Sequence, residues 1–80
     1  MIKLTPSKTS DKITVSGKHY VSVDLNGGRA TLKAKIKGAR KAKAITGGEL
    51  EDGIHLLYLP IGTITLEDIQ GDPEVVISPI

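Results

Sequence analysis

The chain contains no cysteine, no phenylalanine and no tryptophan, and Tyr20 and Tyr58 are its only aromatic residues. Without cysteine there is neither a disulfide nor a thiolate metal site, which excludes a disulfide-stapled secreted scaffold and suits a reducing compartment. With so few aromatics, the stacking platforms on which single-stranded nucleic acids and sugars rest are scarce, and burial falls to Ile, Leu, Val and Ala. Over 80 residues a core of this kind buries roughly 60% of the unfolded chain's surface. That leaves a slim margin over conformational entropy, and small domains in this position commonly gain stability by associating. A homo-oligomer is therefore expected. No segment has helical periodicity, no run approaches membrane-spanning length, and Met1 to Lys8 lacks the apolar stretch of a signal peptide. These absences point away from a membrane and toward synthesis in the cytoplasm.

The clearest positive signal is Arg29 to Lys37, which alternates polar and apolar without a fault. In a strand this puts Ala30, Leu32, Ala34 and Ile36 on one face and Arg29, Thr31, Lys33, Lys35 and Lys37 on the other. Upstream, Val21, Val23 and Leu25 alternate in the same way, and Asn26-Gly27 between the two runs has the chemistry of a type I′ turn. A hairpin is expected there, with Val23 opposite Ala30 and Val21 opposite Leu32. Downstream, a loop at Gly38-Ala39-Arg40 would pair Ile36 with Ala42 and Ala34 with Ala44. That register sets Lys35 against Lys43 and Lys37 against Lys41, an unfavourable juxtaposition of like charge.

Shorter runs complete the chain: Ile2 to Leu4 stopped by Pro6, a polar loop from Pro6 to Lys12, and Ile13 to Ser16 ending at Gly17. Ile45-Thr46 breaks the alternation, Gly47-Gly48 reads as a turn or bulge, and Glu49 to Gly53 reads as an acidic loop. Ile54 to Leu59 is almost wholly apolar, as expected of a strand covered on both faces, inside the fold or beneath a neighbouring subunit. Strands from Ile61 to Leu66 and from Glu74 to Ser78 follow, separated by a Gly-Asp-Pro turn. About eight short strands with turn signals between them predict an all-β fold: one small antiparallel β-sandwich, jelly-roll or Ig-like, spanning residues 1–80.

Charge is divided along the chain. Residues 1–48 hold all eleven Lys and Arg with only Asp11 and Asp24, whereas residues 49–80 hold seven acids and no cation. Such halves can neutralise each other within one fold, between copies, or leave a basic face for an outside anion.

Catalytic chemistry finds little footing. His19 and His55 sit in separate strands, and no serine stands in a nucleophile-elbow context. The acids Glu49, Glu51 and Asp52, and Glu67 and Asp68, fall in polar turns where carboxylates are solvated. No catalytic residue, metal ligand or cofactor site is assigned, and a non-enzymatic protein is expected. Arg29, Lys33, Lys35, Lys37, Lys41 and Lys43 form the candidate interaction face, with a solvated, anti-aggregation surface as the competing explanation. Ile54, Leu56, Leu57, Tyr58 and Leu59 form a candidate subunit interface.

Several segments resemble small β-sandwich virion proteins of tailed bacteriophages. They are Val21-Ser22-Val23-Asp24-Leu25, Gly28 to Ile36, Ala44-Ile45-Thr46-Gly47, Leu57-Tyr58-Leu59-Pro60-Ile61-Gly62 and Gly71 to Ile77. The likeness is one of strand and turn cadence over residues 20–78; the loop at Lys37 to Lys41 departs from it, lacking the acidic residue and aromatic often found there. The resemblance implies a capsid decoration or cement protein, or a head or tail accessory subunit, made in the host cytoplasm and resident in the virion. Its partners would be copies of itself and a phage capsid or tail protein. The alternatives are a nucleic-acid-binding β-barrel using the basic stretch from Arg29 to Lys43, and a carbohydrate-binding module.

Overall fold

The computed structural model describes residues 1–80 apart from the side chain of Thr46. It is all strand and turn: β1 (Ile2–Leu4), β2 (Ser10–Ile13), β3 (Gly17–Asp24), β4 (Arg29–Ile36), β5 (Lys43–Glu49), β6 (Gly53–Leu59), β7 (Gly62–Gln70) and β8 (Glu74–Pro79). Two four-stranded antiparallel sheets pack face to face, one ordered β1-β8-β3-β6 and the other β2-β7-β4-β5. The pairs β1–β8, β2–β7, β3–β6 and β4–β5 are nested, and successive pairs alternate between the sheets. A long two-stranded ribbon wound in this way is a jelly roll, so of the two sandwich types expected from the sequence the Ig-like one is set aside.

The core lies between the sheets. Leu4, Val21, Val23, Leu59, Val75 and Ile77 come from the first sheet, and Ile13, Ala30, Leu32, Ile64 and Leu66 from the second. Leu50, in the segment expected to be only an acidic loop, is also buried, and its N–H donates to the Ala30 carbonyl at 2.9 Å. Every one of these side chains is aliphatic; both tyrosines are exposed. The core is as lean as the composition demands.

Four expectations need correction. First, Asn26-Gly27 does not close a hairpin. The turn forms, with φ of 50° at Asn26 and 77° at Gly27 and the Gly28 N–H donating to the Leu25 carbonyl at 2.7 Å. It carries the chain from one sheet to the other, because β3 pairs with β6 and β8 whereas β4 pairs with β5 and β7. Val21, Val23, Ala30 and Leu32 meet in one core cluster contributed by facing sheets, not as neighbours within a sheet. Neighbouring loops hold the crossing: Asn26 Nδ2 donates to the Asp72 carbonyl at 2.8 Å, and the Leu25 N–H donates to Asp52 Oδ1 at 2.7 Å.

Second, β2 occupies Ser10–Ile13, starting within the expected loop and ending where the expected strand began, and Val15 lies exposed in the connection that follows. Third, β4 and β5 pair one residue out of the expected register, Lys33 with Ala44 and Ala34 with Lys43. A one-residue slip exchanges the faces of a strand, so the opposed lysine pairs do not form. The slip goes with a bulge in which Ile45 to Gly48 stand opposite Leu32 alone, between the Lys33–Ala44 and Thr31–Glu49 pairs. Fourth, β6 ends its sheet and its outer face is uncovered within the fold, so of the two settings expected for it the sandwich interior is set aside.

Candidate functional site

Antiparallel connectivity sorts the loops into two groups. The β1–β2, β3–β4, β5–β6 and β7–β8 connections gather at one end of the sandwich; the β2–β3, β4–β5 and β6–β7 connections and both termini gather at the other. Charge follows the same division. Four cations away from the second end are all ion-paired: Lys3 with Glu74 at 3.5 Å, Lys8 with Asp11 at 2.8 Å, Lys33 with Glu67 at 3.7 Å, and Arg29 with Glu49. These pairs lie in contact with solvent, which screens them, so each adds little to stability.

The seven remaining cations, Lys12, Lys18, Lys35, Lys37, Arg40, Lys41 and Lys43, all lie toward the second end, and among the described residues none has an ion pair. The five acids outside those pairs, Asp24, Glu51, Asp52, Asp68 and Asp72, all lie toward the first. The division of charge along the sequence has become a basic end and an acidic end in space. Three of the four internal pairs, Lys3–Glu74, Arg29–Glu49 and Lys33–Glu67, join the basic part of the sequence to the acidic part.

The six predicted interaction residues therefore separate. Arg29 and Lys33 are neutralised within the sheet, whereas Lys35, Lys37, Lys41 and Lys43 belong to the basic end. By register Lys43 shares the face of Ala34, so it does not continue the row begun by Lys33 and Lys35. Arg40 joins the cluster from the same β4–β5 connection as Lys37 and Lys41, and Lys12 and Lys18 join from the end of β2 and the start of β3, where only the strand order brings them and no local pattern announces it. Lys12, Lys35 and Lys37 stand around an open cleft of about 460 Å³ whose apolar lining includes Ile36 and Ile61. Ile36, expected in the core, is 57% exposed at this mouth.

The second feature is the outer face of β6. Ile54, Leu56 and Tyr58 are 74%, 54% and 72% exposed. Tyr20, opposite Leu56 on β3, is 51% exposed and places the chain's other aromatic beside them. Of the predicted subunit-interface residues, Leu59 is fully buried in the core and Leu57 packs against the core half-buried, so these two point away from this surface.

Each histidine hydrogen-bonds a backbone carbonyl near it in sequence. His19 is buried with Nδ1–H donating to the Gly17 carbonyl at 2.8 Å, and His55 Nε2–H donates to the Glu51 carbonyl at 2.8 Å. A carbonyl accepts only, so each of these nitrogens carries a hydrogen. Asp11 has its carboxyl held below the usual range, chiefly by the hydrogen bond from Lys8 and next by the Lys12 N–H. Among the described residues no cluster of acids and histidines has the make-up of a metal site. Compared with family models, curated proteins and solved structures, the chain matches none of them.

Proposed function

We propose that the chain is a non-enzymatic structural subunit that docks through its basic end onto a repeated acidic protein surface, in the manner of a capsid decoration, cement or head or tail accessory protein of a tailed phage. The observation that carries the reading is the segregation of charge. Among the described residues, seven cations without an ion pair gather at one end and five acids without one at the other, and a field divided in this way suits a partner of complementary charge. The cleft between Lys12, Lys35 and Lys37 adds apolar surface beneath those charges, where a protein partner gains more than a bare anion does. The jelly roll is a frequent scaffold of viral capsid proteins, though lectins and cupins share it, so the fold supports the reading by analogy only.

The same cations favour a second reading, a nucleic-acid surface. Fluorescence anisotropy with labelled duplex and single-stranded DNA and RNA separates the two. Docking on protein predicts only the non-specific background, dissociation constants of about 10⁻⁴ to 10⁻⁶ M at physiological salt. Nanomolar binding that weakens steeply with salt overturns it in favour of nucleic acid.

A further inference from the structure

Of the four strands that end the two sheets, three carry a device that discourages pairing with another chain. β1 has three residues with Lys3 at its centre, β2 has four with Asp11 and Lys12 within it, and β5 begins at Lys43 and is broken by its bulge. Shortness, charge and bulges are the means by which sheet edges are blunted. β6 has none of them. Its seven residues Gly53–Leu59 contain no formal charge and no proline, and they pair with β3 without a register shift. Its outward side chains are the apolar Ile54, Leu56 and Tyr58.

We infer that β6 pairs antiparallel with β6 of a second copy about a two-fold axis at Leu56, joining two β1-β8-β3-β6 sheets into one continuous sheet. The inference rests on the reading of the chain as a homo-oligomer and names the surface responsible. The pattern of β6 is self-complementary about that point. Leu56 meets Leu56 of the second copy, Ile54 meets Tyr58, and His55 meets Leu57, so outward apolar side chains face outward apolar side chains.

Charge specifies the same occupant. An antiparallel two-fold lays the acidic end of each copy beside the basic end of the other. It sets Glu51 and Asp52 next to Pro60 and Ile61 of the second copy, and Pro60 lines the same cleft as Lys41 and Lys43. Because Asp52 Oδ1 already accepts the Leu25 N–H, Glu51 is the carboxylate left to meet those lysines. A second copy thus supplies apolar and electrostatic complementarity together.

Light scattering coupled to size exclusion, over a range of concentration, tests this. The wild type is expected to be a dimer whose thermal midpoint rises with concentration, and Leu56→Lys and Tyr58→Lys to be folded monomers whose lower midpoint does not vary with concentration, since both side chains are exposed and only the association is lost. Glu51→Lys should raise the dimer dissociation constant about fivefold, the size of the two exposed ion pairs that a two-fold dimer makes, and Lys41→Glu with Lys43→Glu should restore it. A wild-type dimer or larger oligomer unmoved by either β6 substitution overturns the edge pairing and leaves the homo-oligomer standing. A wild type monomeric at every concentration overturns both.

Discussion

Gly62→Ala should destabilise the protein by about 3 kcal/mol and lower its thermal midpoint by about 15 °C. Gly62 pairs with Ile13 on one side and Ile36 on the other, where β7 runs between β2 and β4. A Cβ at this position would stand 2.0 Å from the Lys35 carbonyl oxygen and 2.9 Å from its carbon. Both are backbone atoms of the adjacent strand, so no side-chain rotation relieves the overlap and the sheet itself must open. Gly48→Ala is the control: a Cβ there meets nothing within 4 Å, and the substitution should shift stability by less than about 0.5 kcal/mol. Urea unfolding followed by circular dichroism measures both. Equal stability of the two variants contradicts the close approach of β7 and β4.

Leu32→Ala should cost about 3 to 4 kcal/mol in the same measurement. Leu32 is fully buried at the middle of the inner face of β4, opposite Leu66 on β7 and surrounded by a core with no aromatic ring. Truncation removes the transfer energy of the side chain and leaves a cavity that neighbouring β-branched residues, held by their sheets, cannot collapse to fill. Against a total stability of order 5 to 15 kcal/mol, and nearer the lower figure for a chain this small, the loss brings the variant close to unfolding at moderate temperature. Ile36→Ala, four residues along the same strand face but 57% exposed, should cost less than about 1 kcal/mol. If the two variants unfold together, Leu32 is not at the centre of the core.

These contrasts follow from what was legible in the residues. Period-two alternation placed β3 and β4, marked Val21, Val23, Ala30 and Leu32 as inward while misplacing Ile36, and identified Asn26-Gly27 as a turn with positive φ. It left the turn's role undecided, because the same backbone can link adjacent strands or cross between sheets. The hydrogen bonds that select the crossing, from Asn26 to Asp72 and from Leu25 to Asp52, come from residues distant in the chain. The β4–β5 register was illegible for a related reason. The pairs nearest the loop are one residue out of the expected register, and beyond them a bulge sets Ile45 to Gly48 against Leu32 alone; the Gly47-Gly48 pair signals a bulge without stating its size.

The candidate site was legible as composition and not as place. The division of charge along the sequence was plain, yet its meaning depends on which ends of which strands lie together. Arg29 and Lys33, on the most regular strand of the chain, proved to be neutralised by Glu49 and Glu67. Lys12, Lys18 and Arg40, in segments without a distinctive pattern, complete the basic end. For β6 the residue run was right, and of the two settings it allowed the sandwich interior is the one set aside. Six apolar residues read as covered on both faces, whereas only the inner side, with Leu59 and Leu57, packs on the core. The outer side is the surface assigned to a second copy.

Co-sedimentation with phage particles lacking this chain, run with wild type and with the triple variant Lys35→Glu, Lys37→Glu, Lys41→Glu, tests the docking proposal most directly. The account predicts saturable recovery of the wild type with the particles, release as salt rises because exposed charges are screened beyond about 10 Å at 0.1 M, and a triple variant that stays in the supernatant while unfolding like the wild type. Wild type left in the supernatant at low salt, or a triple variant that binds as well as wild type, contradicts it.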